Sequence, residues 1–151
     1  MYRIISLVRT VADSKESQSI YEYTSEVEAK GNYELKLGQN SKSDLYDAVT
    51  ILLLDNVGNI LDSAHVGEEL TPRLINVNVA EDGTETANVA KYDTTALVEA
   101  NYHEKFGKTI LNTTDKAVMY RGIDGNGGFV CYTYWVRPIE MAEETTTEET
   151  V

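Results

Sequence analysis

The stretch EYTSEVEAKGNYELKLGQ, which begins at Glu22, returns in altered form as KYDTTALVEANYHEKFGK, which begins at Lys91. Laid over itself at an offset of 69 residues, the chain matches without a gap from Tyr23 to Val66. Tyr23, Asn32, Tyr33, Lys36, Gly38, Ala48, Val49, Asp55 and Gly58 meet identical residues at Tyr92, Asn101, Tyr102, Lys105, Gly107, Ala117, Val118, Asp124 and Gly127. The apolar pattern around them is kept: Ile20 meets Val89, Leu37 meets Phe106, and Leu54 meets Ile123. Self-similarity at a fixed period marks an internal duplication. Whatever one copy folds into, the chain must therefore build twice.

Each copy reads strand, strand, helix, strand, strand. Residues 2–11 are rich in Ile, Val and Leu, which suits a strand. ADSKES is a turn and QSIYEY a second, shorter strand. Ser25 and Glu28 have the spacing of a capping box, which satisfies backbone N–H groups at a helix start. Ala29, Tyr33 and Leu37 fall at i, i+4 and i+8, on one helical face, and Val98, Tyr102 and Phe106 repeat them. Gly38 and Gly107 are expected to end the helices with positive φ. YDAVTILLLDNVGNILDSAHV and KAVMYRGIDGNGGFVCYTYWV each read as strand, turn and returning strand. Asp55 and Asp124 open those turns, where a short carboxylate can accept from backbone N–H groups. The fold class is α+β: two tandem strand-strand-helix-strand-strand repeats, with antiparallel sheets and one helix per repeat. The repeats divide as 1–68 and 69–138, followed by an acidic tail, 139–151, expected to be disordered. A copy of about 65 residues makes a thin core alone, so the copies are expected to pack as one unit.

Charge narrows the class of partner. The chain carries 25 acidic and 13 basic residues, a net −12, and five of the glutamates lie in EMAEETTTEETV. Without those five the body stands at −7, a mildly acidic surface with no basic stripe for nucleic-acid phosphates. No stretch is long enough to span a membrane as a helix. MYRIISLVRT lacks a proper apolar run and a cleavage site, so it reads as a strand and not as a signal peptide. Cys131 is the only cysteine; alone it forms no internal disulfide and no zinc cluster, and is expected to be a small buried hydrophobe.

No catalytic, metal or cofactor signature emerges. His65 and His103 are the only histidines, and neither has a second histidine at helical spacing. Both are expected at the surface. DGNGG fails as a calcium loop, because the twelfth position holds no glutamate. It fails as a phosphate cradle, because no helix follows, and so reads as a hairpin turn. No serine lies in a G-x-S-x-G context.

The last strand offers the one candidate binding site. In FVCYTYWV, strict alternation puts Phe129, Cys131, Thr133 and Trp135 on one face and Val130, Tyr132, Tyr134 and Val136 on the other. Tyr132 and Tyr134 correspond to Ser63 and His65 in the first copy. A face that is polar in one copy is not an obligatory core face, and tyrosines on such a face commonly anchor a partner. The competing reading packs this face on the other copy.

MYRIISLV, IYEYTSEVEAKGNYELKLG and VTILLLDNVGNI together resemble a group of small accessory proteins encoded by phages and prophages of gut bacteria. KYDTTALVEANYHEKFG matches the helical part better, through Tyr102 and His103. The likeness covers most of both copies and rests on structural motifs, so it carries no functional residue across. It implies a viral accessory protein. The expected function is a non-enzymatic binding protein, in the host cytoplasm, that blocks or sequesters a host factor. The alternative is a virion component such as a head or tail decoration protein. The expected partner is a host or viral protein, with a small ligand and homo-oligomerisation left open.

The tail's five glutamates and four threonines leave too little apolar surface to offset the entropy of ordering it. Deletion of residues 141–151 should therefore leave the melting temperature unchanged within about 2 °C. Strong hydrogen-exchange protection of those amides would contradict the reading.

Overall fold

The computed structural model describes residues 1–55, 59–80, 82–111 and 117–132. The first unit contains β1 (Tyr2–Thr10), β2 (Glu16–Tyr23), α1 (Glu26–Ser41), β3 (Tyr46–Leu54) and β4 (Ile60–Gly67). The second repeats it with β5 (Arg73–Val79), β6 (Glu85–Lys91), α2 (Thr95–Leu111), β7 (Ala117–Ile123) and β8 (Phe129–Tyr132). Each unit forms one antiparallel four-stranded sheet, in the orders β2-β1-β3-β4 and β6-β5-β7-β8.

In the first unit the chain places its most apolar segments, IISLV of β1 and AVTILLL of β3, in the two central strands. Residues 3–8 of β1 and 48–54 of β3 are all buried, so both faces of these strands are covered. One face meets the helix: Ile4, Ile51 and Leu53 pack with Ala29 and Tyr33 of α1. The opposite face meets the other sheet. Ile5, Leu7, Ala48, Leu52 and Leu54 form one cluster with Ile75, Val77, Met119 and Ile123 of the second unit. Leu74, Val98, Tyr102 and Cys131 build the helix-side layer of the second unit. The result is four layers: helix, sheet, sheet, helix. Each fully buried aliphatic side chain contributes about 1.5–3 kcal/mol, and the inter-sheet cluster draws on both units. The edge strands β2 and β4 carry the polar residues and are largely exposed.

Helix entry follows the repeat. Ser25 Oγ accepts from Glu28 N at 3.3 Å, and Thr94 Oγ1 accepts from Leu97 N at 3.2 Å. Such caps satisfy an otherwise orphaned donor. The recurrent asparagines have a local role: the Asn32 amide donates to Glu28 O and the Asn101 amide to Leu97 O. The helix exits differ from expectation. Gly38 and Gly107 lie inside α1 and α2, which run on to Ser41 and Leu111. The described glycines with positive φ are Gly67, Gly83 and Gly127. Helical φ is accessible to glycine as to any residue, so glycine three or four residues before a helix end does not stop it.

The β1–β2 and β5–β6 turns reveal a slip in the duplication. Ser14 (φ 57°) and Gly83 (φ 89°) occupy the same left-handed position, 69 residues apart. The carboxylates of Asp13 and Asp82 accept from Lys15 N and Thr84 N, again 69 apart. Before the turn, however, Arg3 lies opposite Leu54 and Arg73 opposite Ile123. Since Leu54 and Ile123 are 69 apart, the first strands correspond at an offset of 70. The second hairpin is one residue shorter, so the strands before it stand one residue out of phase with the rest of the repeat.

Tyr33 and Tyr102 are 1% and 6% exposed on their helix faces. Truncation of either to alanine should cost about 3–5 kcal/mol, read by chemical denaturation. The Tyr33 hydroxyl is buried with no hydrogen-bond partner among the described residues. Burial raises its pKa, helped by the carboxylates of Asp62 and Glu34. Tyr33→Phe should therefore stay within about 1 kcal/mol of the parent.

Candidate functional site

Tyr132 closes β8, where its backbone pairs with Arg121. Its side chain and the whole of Tyr134 lie outside the described residues, as does the tail. Their first-unit counterparts are described. Ser63 is exposed on edge strand β4, opposite Leu52. His65 is half-buried opposite Thr50. The approach to this region departs from strict alternation. Register shifts at Leu53/Leu54 and at Gly122/Ile123 place a β-bulge in both units. Val130 and Cys131, adjacent in sequence, consequently pack against the same cluster. The extra residue of a bulge resets which side chains share a face, so alternation counted from Phe129 does not hold along β8. Phe129 is 37% exposed, with the Arg121 guanidinium 5.3 Å from its ring centre.

Cys131 is buried, as expected, and burial pushes its thiol up to about 11. His103 is exposed and meets the Tyr102 ring edge-on at 5.1 Å. His65 is less free than a surface histidine. Its Nδ1 lies 2.6 Å from Thr50 Oγ1 and its Nε2 3.2 Å from Gly67 O. The carbonyl only accepts, so Nε2–H donates to it, and Nδ1 shares a hydrogen bond with the Thr50 hydroxyl. His65 thus ties the end of β4 to the sheet.

The DGNGG segment is a turn that serves packing. The Asp124 carboxylate accepts from Asn126 N and Gly128 N, as the Asp55 carboxylate accepts from Asn59 N. The turn then seats against the connection between units, where Leu70 N donates to Gly125 O at 2.8 Å. A Cβ at Gly125 would lie 1.9 Å from Leu70 O, so only glycine permits that approach. Among the described residues no group of three or more His, Cys, Asp or Glu could hold a metal ion. No helix there is long and apolar enough to cross a membrane.

The most organised polar chemistry lies between the units. Arg3 and Arg73 are each 1% exposed and stand at corresponding positions on the inter-sheet face. Arg3 donates through Nε to Glu22 at 2.9 Å and through a terminal nitrogen to Glu85, across the interface, at 2.6 Å. Arg73 donates through Nε to Gln18 at 3.2 Å and through a terminal nitrogen to Glu16, also across the interface, at 2.8 Å. Arg73 additionally bonds Thr71 O. Glu16 and Glu85 are themselves repeat counterparts. The correspondence extends further: the Met1 amine meets Glu85 at 3.4 Å and Thr71 N donates to Glu16 at 3.1 Å. Sequence comparison missed this set because offset 69 lays Arg3 against Pro72. The signal was the glutamate pair, which lies N-terminal to the compared span.

Burial opposes the Glu16 charge, but bonds from Thr71 and the Arg73 guanidinium outweigh it and hold the carboxyl below its ordinary value. A depressed folded-state pKa contributes stability that is present above the unfolded value, about 4.3, and is lost as pH falls through the folded value. Glu16→Gln should cost about 3 kcal/mol at pH 7, because it leaves a buried guanidinium poorly compensated. Its stability should also fall less steeply than the parent's below about pH 4.3. Parallel acid slopes in urea titrations of the two proteins would show that Glu16 is not held by its partners. No family model, curated protein or solved structure matches this chain.

Proposed function

We propose that this chain is a non-enzymatic, phage-encoded binding protein that engages and blocks a host factor in the host cytoplasm, using a contact surface that includes Tyr132 and Tyr134. One observation carries the reading. The two units agree in their caps, Asp turns, bulges and inter-unit arginines, which are the features a duplicated scaffold needs. At the positions of Tyr132 and Tyr134 the first unit has an exposed serine and a half-buried histidine bonded to Thr50. The first unit thus carries polar side chains there, which supports a role for the tyrosines other than packing. Two stiff amphipathic rings at such positions suit recognition of a protein surface. The acidic body, without a basic stripe, favours a protein partner over nucleic-acid phosphate.

The test compares the parent with the double variant Tyr132→Ser/Tyr134→Ser as affinity baits in infected host cells. A host protein retained by the parent should bind the variant about 100-fold or more weakly, since each anchor is worth about 2 kcal/mol or more. The melting temperature should stay within about 3 °C. Unfolding of the variant without a separable loss of binding would assign both rings to the core. Stoichiometric presence of the chain in purified particles would favour a virion component instead.

A further inference from the structure

The contact between the units is reciprocal. Arg3 of the first reaches Glu85 of the second, and the corresponding Arg73 of the second reaches the corresponding Glu16 of the first. Residue i touching j while j touches i is the isologous pattern of a twofold dimer. The apolar part follows suit, with counterparts such as Ile5 and Ile75, or Leu54 and Ile123, in one shared cluster. Here both halves belong to one chain and are joined by residues 68–72, between the end of β4 and the start of β5.

We propose that this self-complementary face also takes the opposite unit of a second copy of the chain, giving a dimer in which units are exchanged about the 68–72 hinge. Every inter-sheet contact of the closed chain is available in the exchanged form, because each first unit still meets a second unit. The two forms differ in the hinge, whose closed form holds Leu70 in the inter-sheet cluster and bonds Leu70 N to Gly125 O and Thr71 to Glu16. The closed hinge is short. It turns at Gly67, φ 88°, where a Cβ would lie 2.2 Å from Asp47 O, and Glu68 N is bonded to that same oxygen at 2.8 Å. A five-residue hinge is short enough to invite exchange. Exchange pairs two chains, so the ratio of forms depends on protein concentration during folding. This inference does not depend on Tyr132 or Tyr134.

The reciprocal charges supply a complementation test. One full-length chain carries Glu85→Arg and the other Arg3→Glu. Folded alone, each sets like charges against one another at one inter-unit bridge. In an exchanged heterodimer the first unit of the Glu85→Arg chain meets the second unit of the Arg3→Glu chain, which restores the native Arg3–Glu85 bridge. The remaining interface carries the same bridge with its charges reversed. The two variants are denatured, mixed equally and refolded at about 100 µM, beside each variant alone and the parent. Light scattering should find a species of twice the monomer mass, containing both chains. It should be at least about tenfold more abundant in the mixture than in either variant alone. Rescue in the mixture of variants that do not fold alone supports the proposal equally. Two monomeric species in the mixture, or equal dimer in the mixture and in the single variants, would overturn it. So would failure of the mixture to fold while the refolded parent is wholly monomeric.

Discussion

Two buried guanidiniums govern how this molecule is assembled. An arginine on a sheet face that must pack against another sheet cannot be left unpaired, because removing a charge from water costs several kcal/mol after relaxation. Arg3 draws one of its two carboxylates from the opposite unit, and Arg73 draws its one from there as well. Neither unit alone supplies the full set of partners that Arg3 and Arg73 take. The apolar cluster between the sheets provides most of the attraction, but it is non-directional. The arginine bridges add direction, since a planar fork fixes where its carboxylate must stand. A slide of one sheet across the other would keep much of the apolar burial and break both bridges together.

The layered arrangement follows from how hydrophobicity is distributed. In the first unit, two central strands are mostly apolar, with Arg3, Ser6 and Thr50 set among the aliphatics, and two edge strands are mixed. A strand buried on both faces needs a cover on each, and one helix per unit covers only one. The remaining face is satisfied by the other unit's identical need. The turn at Asp124–Gly128 locks the junction, bonding Leu70 in the connection and resting near Thr50 and His65 of the first unit.

Much of this was legible in the residues. The repeat, its strand and helix order, the Ser25 cap, the Asp55 and Asp124 turns and the buried helix tyrosines all come from local patterns that the tertiary structure respects. What was hidden has physical reasons. The arginine bridges lay behind a one-residue difference in a hairpin, which shifts the phase of everything before it. Gly38 and Gly107 read as helix ends because glycine permits positive φ, yet permission is not a requirement. The face assignment in β8 failed at a bulge, since period-two counting presumes an uninterrupted ladder. For the candidate surface, Tyr132 and Tyr134 stood out only by contrast with Ser63 and His65, a comparison the duplication itself provides.

The double burial of β1 and β3 has a bearing on how such a chain can change over generations. From Arg3 to Val8 and from Ala48 to Leu54 no side chain faces solvent, so almost any replacement there disturbs either the helix layer or the opposite sheet. Novelty is thereby channelled to the edge strands, the hairpin tips and the outer helix surfaces. With two copies on one frame, one copy's rim can retain its original residues while the other diverges. A protein under pressure to follow a changing target would gain from that division: a conserved interior, and two borders free to evolve at different speeds.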